Sequence, residues 1–514
     1  MSSEQEVKDW LPPRAGLALV GAIFLLAICG LVYELIAGAL SSYLLGDSIT
    51  QFSLVIGLFL TAMGIGSWLS RFVRNHLIAS LIEIEVLVGL IGGTVALAGY
   101  ASFALSELYR EVLIAQVLLV GALVGLEIPL VVRILRELES LRITLANVMA
   151  ADYVGALAAS LAFPFFLLPQ LGLARAGLLI GMINVGVAGL LYLWFRPALR
   201  GRQLRLQLGI LGSLLILATA FVFASPLVQG FENRMYQDEV IYQADTPLQR
   251  LVLTRWRADL RLYLDGHLQF SSIDEYRYHE MLVVPAMAAA RRPARILILG
   301  GGDGLAAKLV LQHQSVTHVD LVDLDPVVTM LFSEREMLRQ LNGDALRDPR
   351  VQVHNLDAMQ FLEQGESRYD VILVDLPDPS RPALAKLYSR SFYGLCLRRL
   401  AMEGVLSTQA TSPFRSRQAF WCIAHTMRAA GFEVHPCQTY VPSFGTWGFV
   451  MAARGPIAID RLRPRIETRH LDHSSLQAAF VLPKDVAEVE TPISSLDDPA
   501  VTQLYLRGYH QYLR

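Results

Sequence analysis

Five aspartates stand where an apolar run gives way to a loop: Asp303, Asp323, Asp357, Asp375 and Asp378. An acid at the end of the second strand of a nucleotide-binding sheet reaches ribose hydroxyls, and Asp323 holds that place. Asp357, one strand further on, is positioned to accept a hydrogen bond from an adenine amino group. The turn Gly300-Gly301-Gly302-Asp303-Gly304 lets a ligand approach the backbone closely, although it lacks the GxGxxG spacing of dinucleotide sites. Together these positions describe a nucleoside site. Asp303, Asp375 and Asp378 then load the same edge with negative charge, which repels carboxylates and phosphates and favours a cationic amine. A carboxylate beside an ammonium group can take its proton and free a nucleophilic lone pair. Tyr278 and His279 are candidates to orient such an amine. Taken singly, each acid has a plainer role as a helix N-cap or turn residue, and Tyr278 as core packing. Only the set argues for chemistry.

The elements that must position these residues are legible. Arg295–Gly300, His318–Val322, Val351–His354 and Tyr369–Val374 are short apolar runs separated by helical stretches, which predicts a parallel α/β sheet of Rossmann-like, methyltransferase type. In such sheets the ligand lies at the carboxyl ends of the strands, where all of these acids fall. Ahead of them, Glu239–Gln243, Arg250–Thr254 and Leu260–Leu264 alternate in polarity. With the Asp265-Gly266 turn they predict a small antiparallel β subdomain over 231–285. The Rossmann-like domain is expected over 294–455. The tail 456–514 carries no readable motif, and a helical cover over the pocket is the guess for it.

The first half of the chain differs in kind. The 514 residues are 54% hydrophobic and only 18% charged, against about 25% charged in soluble proteins. After a short segment 1–14, apolar runs at 15–44, 50–73, 80–104, 111–132, 146–168, 173–195 and 206–225 each reach the ~20 residues of a bilayer span. An α-helical transmembrane domain of about seven spans over 15–226 is expected, and with it a multi-pass place in the cell (inner) membrane. Small residues such as Gly57, Gly64, Gly66, Gly121 and Gly125 suit close helix packing in lipid. Lys8, Arg14, Arg71, Arg74, Arg133, Arg136, Arg142, Arg196, Arg200, Arg202 and Arg205 gather on one set of loops; only Arg110 and Arg175 occupy the other. The positive-inside rule then makes the amino terminus cytoplasmic, and seven spans would carry the second half outside. Glu34, Glu127 and Asp152 fall inside apolar runs, where an acid either ties helices together or lines a cation pathway. Glu83 and Glu85 lie near a span end and are expected at the interface.

The net charge of −2 gives no argument for nucleic acid. Cys29, Cys396, Cys422 and Cys437 have neither CxxC spacing nor a paired framework, so no metal and no disulfide scaffold are expected. A homodimer is the expected assembly.

Tyr236-Gln237, Leu264-Asp265-Gly266, Asp274-Glu275-Tyr276-Arg277-Tyr278-His279-Glu280, Gly300–Gly304 and Asp375-Leu376-Pro377-Asp378-Pro379 together resemble the spermidine synthase family of polyamine aminopropyltransferases. The similarity runs in order over roughly 235–452, and the fused apolar half looks like the family's membrane-bound branch. The resemblance implies transfer of the aminopropyl group of decarboxylated S-adenosylmethionine to putrescine, giving spermidine and methylthioadenosine, with no cofactor. It implies Asp375 as general base with Tyr278 orienting the amine, Asp378 holding the diamine, and Asp303 binding the aminopropyl amine. It further implies Asp323 on the ribose, Asp357 on adenine, Gln237 and Gln269 near the nucleoside or aminopropyl chain, and Gln409 and Tyr440 along the amine channel. Leu376-Pro377 and Asp357-Ala358 depart from the small polar residues and Asp-Gly common in the family; the first lies at the reaction centre, so agmatine or a longer amine stay as alternative acceptors. Two other readings are an S-adenosylmethionine-dependent methyltransferase, against which Asp303 and the Asp375/Asp378 pair argue, and a polyamine transporter or sensor that binds without turnover. A cytosolic supply of decarboxylated S-adenosylmethionine calls for a cytoplasmic active site, in conflict with seven spans.

Overall fold

A computed structural model describes residues 15–45, 48–106, 108–135, 141–199, 201–236, 238–246 and 248–512. The chain divides between Val240 and Ile241 into two compact units.

The first unit is helical. Its helices span Ala15–Leu45, Ser48–Leu69, Leu77–Gly93, Val95–Leu105, Tyr109–Leu135, Leu141–Ala162, Leu168–Trp194 and Gln203–Tyr236. Among the described residues, five helical stretches are long and apolar enough to cross a membrane. The pair Leu77–Gly93 and Val95–Leu105, bent by 45°, makes a sixth if counted as one. This is fewer than the seven apolar runs because the runs at 146–168 and 173–195 join into one stretch, Leu145–Trp194. That stretch is interrupted by a π-helical turn at Phe163–Leu167 and by Gly172, at φ 68° and ψ 174°.

Glycines let two helices touch backbone to backbone: a Cβ on Gly66 would lie 1.9 Å from the Ala122 carbonyl oxygen, and one on Gly125 2.1 Å from that of Met63. Gly57 and Gly64 have no such neighbour. Glu83 pairs with Arg205 at 3.6 Å, at a partly exposed edge. Glu85 departs from its expected interfacial place: it is 0% exposed. Asn184 donates to both its backbone carbonyl and its carboxylate, each at 2.9 Å. Two residues apart on a helix, Glu83 and Glu85 project about 200° from each other, so one faces outward and the other into the bundle.

The second unit holds two sheets. Strands β1 (Glu239–Asp245), β2 (Arg250–Trp256), β3 (Asp259–Leu264) and β4 (His267–Ser271) form a four-stranded sheet in sequential order, with β2–β3 and β3–β4 antiparallel. Asp265 and Gly266, both at positive φ, make the β3–β4 turn. The larger sheet contains β5 (Arg295–Gly300), β6 (His318–Val322), β7 (Val351–His354), β8 (Tyr369–Asp375), β9 (Leu400–Gln409), β10 (Glu433–Val441) and β11 (Gly445–Ala453). Its order is β10-β11-β9-β8-β5-β6-β7. Strands β5 to β9 run parallel, and β11 and β10 close one edge antiparallel. Alternate residues enter separate cores, Ile296 and Ile298 on one face, Leu297 and Leu299 on the other. Burial on both faces is why these strands read as continuous apolar runs. Strand order reverses between β5 and β8, and the crevice at their carboxyl ends is the topological switch point.

Candidate active site

The crevice is a cavity of about 550 Å³ at the carboxyl ends of β5, β6, β7 and β8. Its floor depends on glycine. Gly300 lies in register with Asp375 and has φ 84°; a Cβ there would be 1.9 Å from the Asp375 carbonyl oxygen. A Cβ on Gly302 would be 2.6 Å from the Asp323 carboxylate. The turn therefore brings the carboxylates of Asp323 and Asp375 against bare backbone, with room left for a ligand.

Two acids of the cavity are held by their own chain. Asp323 accepts from the amides of Gly302 and Asp325, each at 3.0 Å. Burial pushes its carboxyl up to about 6 against the lowering pull of those two amides. Asp357 caps the helix Ala358–Gln364, accepting from Met359 at 2.9 Å and Gln360 at 3.2 Å. Its other oxygen takes a 2.6 Å ion pair from Lys386. Partial burial would raise this carboxyl, but Lys386 and the cap hold it below the ordinary range.

The other three acids are differently placed. The helix Glu275–Ala289 brings Tyr278 and His279 side by side over the end of β8. The Tyr278 hydroxyl donates to Asp375 Oδ1 at 2.7 Å, and His279 Nε2 lies 3.9 Å from Oδ2. His279 Nδ1 is held by the Glu275 backbone carbonyl at 2.9 Å and by its carboxylate at 2.8 Å. Burial disfavours charge on the ring, but Glu275, Asp303 and Asp375 outweigh it and push His279 up to about 9. Burial also raises Asp375, opposed by His279 and Tyr278. Asp303 is pushed up to about 7, by burial first, with Asp375 and Glu275 adding to it and His279 opposing. Its Oδ1 accepts from the Leu305 amide at 2.9 Å. Burial pushes Asp378 up to about 6 against Tyr505, Gln409 and Thr411. Oδ2 of Asp378 accepts from the Thr411 hydroxyl at 3.3 Å; Oδ1 is buried without a hydrogen-bond partner among the described residues.

Gln409 anchors this corner. Its amide nitrogen donates to the Leu376 carbonyl at 2.7 Å and contacts the Tyr388 hydroxyl, and its oxygen accepts from the Thr411 amide at 2.9 Å. Thr411 is buried at φ 59°, a left-handed conformation costly for a β-branched residue. Gln409 therefore shapes the loop that carries Asp378, and it also lines the cavity. Gln269 lines it too, its amide donating to the His267 carbonyl at 3.1 Å. Tyr440 is not brought in. It is 57% exposed, because Thr439 and Val441 on either side of it take the inward positions of β10. Gln237 lies outside the described residues.

Sequence reasoning missed several contributors. Lys386 carried no motif signal, and Glu275, quoted only as part of the Asp274–Glu280 motif, was given no role, although it stands four residues before His279, the spacing at which helical side chains meet. The tail supplies more. The Glu280 carboxylate accepts from the amides of Arg469, His470 and Leu471 at 2.7, 2.9 and 3.0 Å, tying the tail to the helix that carries Tyr278. The last helix, Ala500–Tyr512, lends Tyr505 and Tyr509 to the cavity wall.

A family model for the spermine/spermidine synthase domain matches residues 275–458. A polyamine aminopropyltransferase of Leptospira interrogans is 42% identical over 496 residues, covering 96% of this chain and 99% of that protein. Polyamine aminopropyltransferase 2 of Ralstonia nicotianae is 45% identical over 514 residues, covering 98% and 100%. The chain belongs to the polyamine aminopropyltransferase family. It is a transferase of polyamine biosynthesis. A Mycobacterium tuberculosis member is 39% identical over 506 residues, 96% of each chain. A solved spermidine synthase in complex with the transition-state analogue AdoDATO is 26% identical, with a TM-score of 0.46, covering 48% of this chain and 87% of that one. The similarity of the full-length relatives extends through the helical unit as well as the aminopropyltransferase domain.

Proposed function

We propose that this aminopropyltransferase moves the aminopropyl group of decarboxylated S-adenosylmethionine to putrescine. The observation that carries the reading is the hydrogen bond of Tyr278 to a buried Asp375, with Asp303 and Asp378 lining the same cavity. Asp323 and the cap of Asp357 receive the nucleoside. Asp303 receives the ammonium of the aminopropyl arm and disfavours the carboxylate that ordinary S-adenosylmethionine carries there. Asp378 and Gln409 hold the acceptor, and Gln269 flanks the aminopropyl chain. Asp375 takes a proton from the acceptor ammonium. The freed lone pair bonds to the propyl carbon next to sulfur, and the carbon–sulfur bond breaks with its electrons going to sulfur, leaving neutral methylthioadenosine. The sulfonium is already a good leaving group, so orientation and deprotonation carry the rate. His279, charged at neutral pH, opposes the burial that raises Asp375. Binding assays with both nucleosides test the reading: a preference for the carboxylated one would return the protein to methyltransferase chemistry.

The helical unit is read as embedded in the inner membrane, with seven passes. A straight helix of 50 residues would be about 75 Å long, more than twice the hydrocarbon thickness of roughly 30 Å. Its halves, Leu141–Ala162 and Leu168–Trp194, both pack on Ala15–Leu45, which supports a reversal near Gly172. The cytosolic origin of the co-substrate supports a catalytic unit on that side. Six passes return the chain to the side where it began and seven do not, so the bent segment 77–105 decides the matter. Protease accessibility of the 456–514 tail in sealed vesicles tests the orientation.

A cation pathway through this unit is supported at one acid. Glu127 is 4% exposed, with Glu85 and Asp152 as acidic neighbours. Glu34 and Asp152 are only half-buried. Uptake of labelled spermidine into vesicles should fall in Glu127→Gln; uptake unchanged by neutralising Glu34, Glu127 and Asp152 together would remove this role.

A further inference from the structure

We propose that Tyr505, on the last helix of the chain, closes the amine end of the cavity and sets the length of diamine accepted. This rests on the reading of the cavity as an aminopropyltransferase site with a diamine at Asp375 and Asp378. Tyr505 lies outside the segment matched by the family model, which ends at residue 458. It is 6% exposed and lines the cavity beside Asp378 and Gln409. Its hydroxyl faces the Asp378 carboxylate, and its ring lies 4.5 Å from that of Tyr509, so it cannot turn freely away.

The helix is fixed in place. Ser416 Oγ donates to the Leu504 carbonyl at 3.3 Å, and Val501 and Leu504 are buried against the domain core. At Gly508 a Cβ would be 2.6 Å from Ser416 Oγ and 2.9 Å from the Arg415 carbonyl oxygen. Only glycine permits that approach, and it brings the turn carrying Tyr505 and Tyr509 onto the cavity.

The chemistry at this end fits one primary ammonium. Oδ1 of Asp378 is buried and unpartnered, while Oδ2 is already engaged by Thr411. An ammonium has three N–H donors: one satisfies Oδ1, and the phenol oxygen of Tyr505 is a second acceptor. Beyond it the aromatic ring is a wall. A diamine longer by a methylene must displace that ring or draw its reacting nitrogen back from Asp375, and a pocket wall discriminates by about 10- to 200-fold per methylene.

The test compares kcat/KM for 1,3-diaminopropane, putrescine, cadaverine and spermidine in the full-length chain purified in detergent, as wild type, Tyr505→Phe and Tyr505→Ala. In Tyr505→Ala the ratio of cadaverine or spermidine to putrescine should rise about tenfold or more. The KM for decarboxylated S-adenosylmethionine should stay unchanged. Tyr505→Phe keeps the wall and loses the acceptor oxygen: KM for putrescine should rise several-fold with kcat retained and the length preference intact. An unchanged acceptor ratio in an active Tyr505→Ala protein overturns the proposal, as does an equal fall for every acceptor together with a weakened nucleoside KM. Should Tyr505→Ala fail to fold, Tyr505→Phe decides alone: an unchanged putrescine KM overturns the proposal. A wild-type chain that transfers to no diamine defeats the reading of the reaction itself; one that transfers with an unaltered ratio defeats only the role of Tyr505.

Discussion

In the proposed reading the cavity has a nucleoside wall and an amine wall; both are acidic, yet they are built on opposite principles. On the nucleoside wall, Asp323 and Asp357 are engaged by the chain itself, through the amides of Gly302 and Asp325, a helix cap and Lys386. On the amine wall, Asp303, Asp375 and Asp378 are buried, each raised above the ordinary carboxylate range, with one oxygen of Asp378 unpartnered. The first wall is preorganised for neutral hydroxyl and amino groups, which need fixed acceptors rather than net charge. The second, with His279 as its resident cation, still carries more carboxylates than partners until the substrate ammonium arrives. A carboxylate can thus be an element of shape or of chemistry, according to whether its own chain has already satisfied it.

The sharpest way to break this comparison is Asp375→Asn. Loss of the base should lower kcat by about 10²–10⁴-fold while leaving nucleoside binding intact. A kcat within a few-fold of wild type would remove Asp375 from proton transfer. Asp303→Asn comes next. It removes one charged hydrogen bond to the donor's aminopropyl ammonium, so kcat/KM for that donor should fall roughly 10- to 100-fold. Discrimination against S-adenosylmethionine should narrow at the same time, as competition binding would show. Asp323→Asn should not narrow it.

The pH profile bears on both walls, because Asp323 on the first is also pushed up to about 6. Asp303 is pushed up to about 7 and Asp378 to about 6, so both lose their charge as pH falls through that window. The profile of kcat/KM for the amine should therefore drop on its acid side as pH falls through about 6, where Asp378 loses its charge, and that for the donor from about pH 7, where Asp303 does. Asp357, held below the ordinary range, contributes nothing there. Tyr278→Phe should cost about tenfold in kcat, the value of one hydrogen bond to a charged group, with little change in nucleoside KM. Smallest of all, Lys386→Met frees one oxygen of Asp357 whose partner is partly exposed; nucleoside KM should change only about two- to fivefold.

Much of this arrangement is legible in the amino-acid sequence. Strands β5 and β6 begin and end where their apolar runs do, because both faces are buried and the runs are bounded by Gly, Asp and Pro. The acids that follow them line the cavity because a parallel sheet leaves its strand ends at one edge. The features that sequence patterns do not reveal have physical causes. Strand β4 is short and partly exposed, so it carries little hydrophobic signal. Tyr440 matches a motif, but the two-residue alternation of β10 turns it outward. Glu85 sits near a span end in sequence, yet the rotation of its helix points it at Asn184. The long stretch Leu145–Trp194 hides its break, because a single glycine amid apolar residues leaves no mark on hydropathy.

The sequence alone determined the two-unit organisation, the parallel sheet and the row of acids at its edge, because apolar periodicity and glycine-bounded strand ends are local properties. Tertiary structure decided which acids remain open for chemistry. That depends on partners distant along the chain: Lys386 on Asp357, Tyr278 on Asp375, Thr411 and Tyr505 on Asp378. A carboxylate's charge and availability are set by what folding places within hydrogen-bond reach and by how much water folding removes, and neither is written in its immediate neighbours.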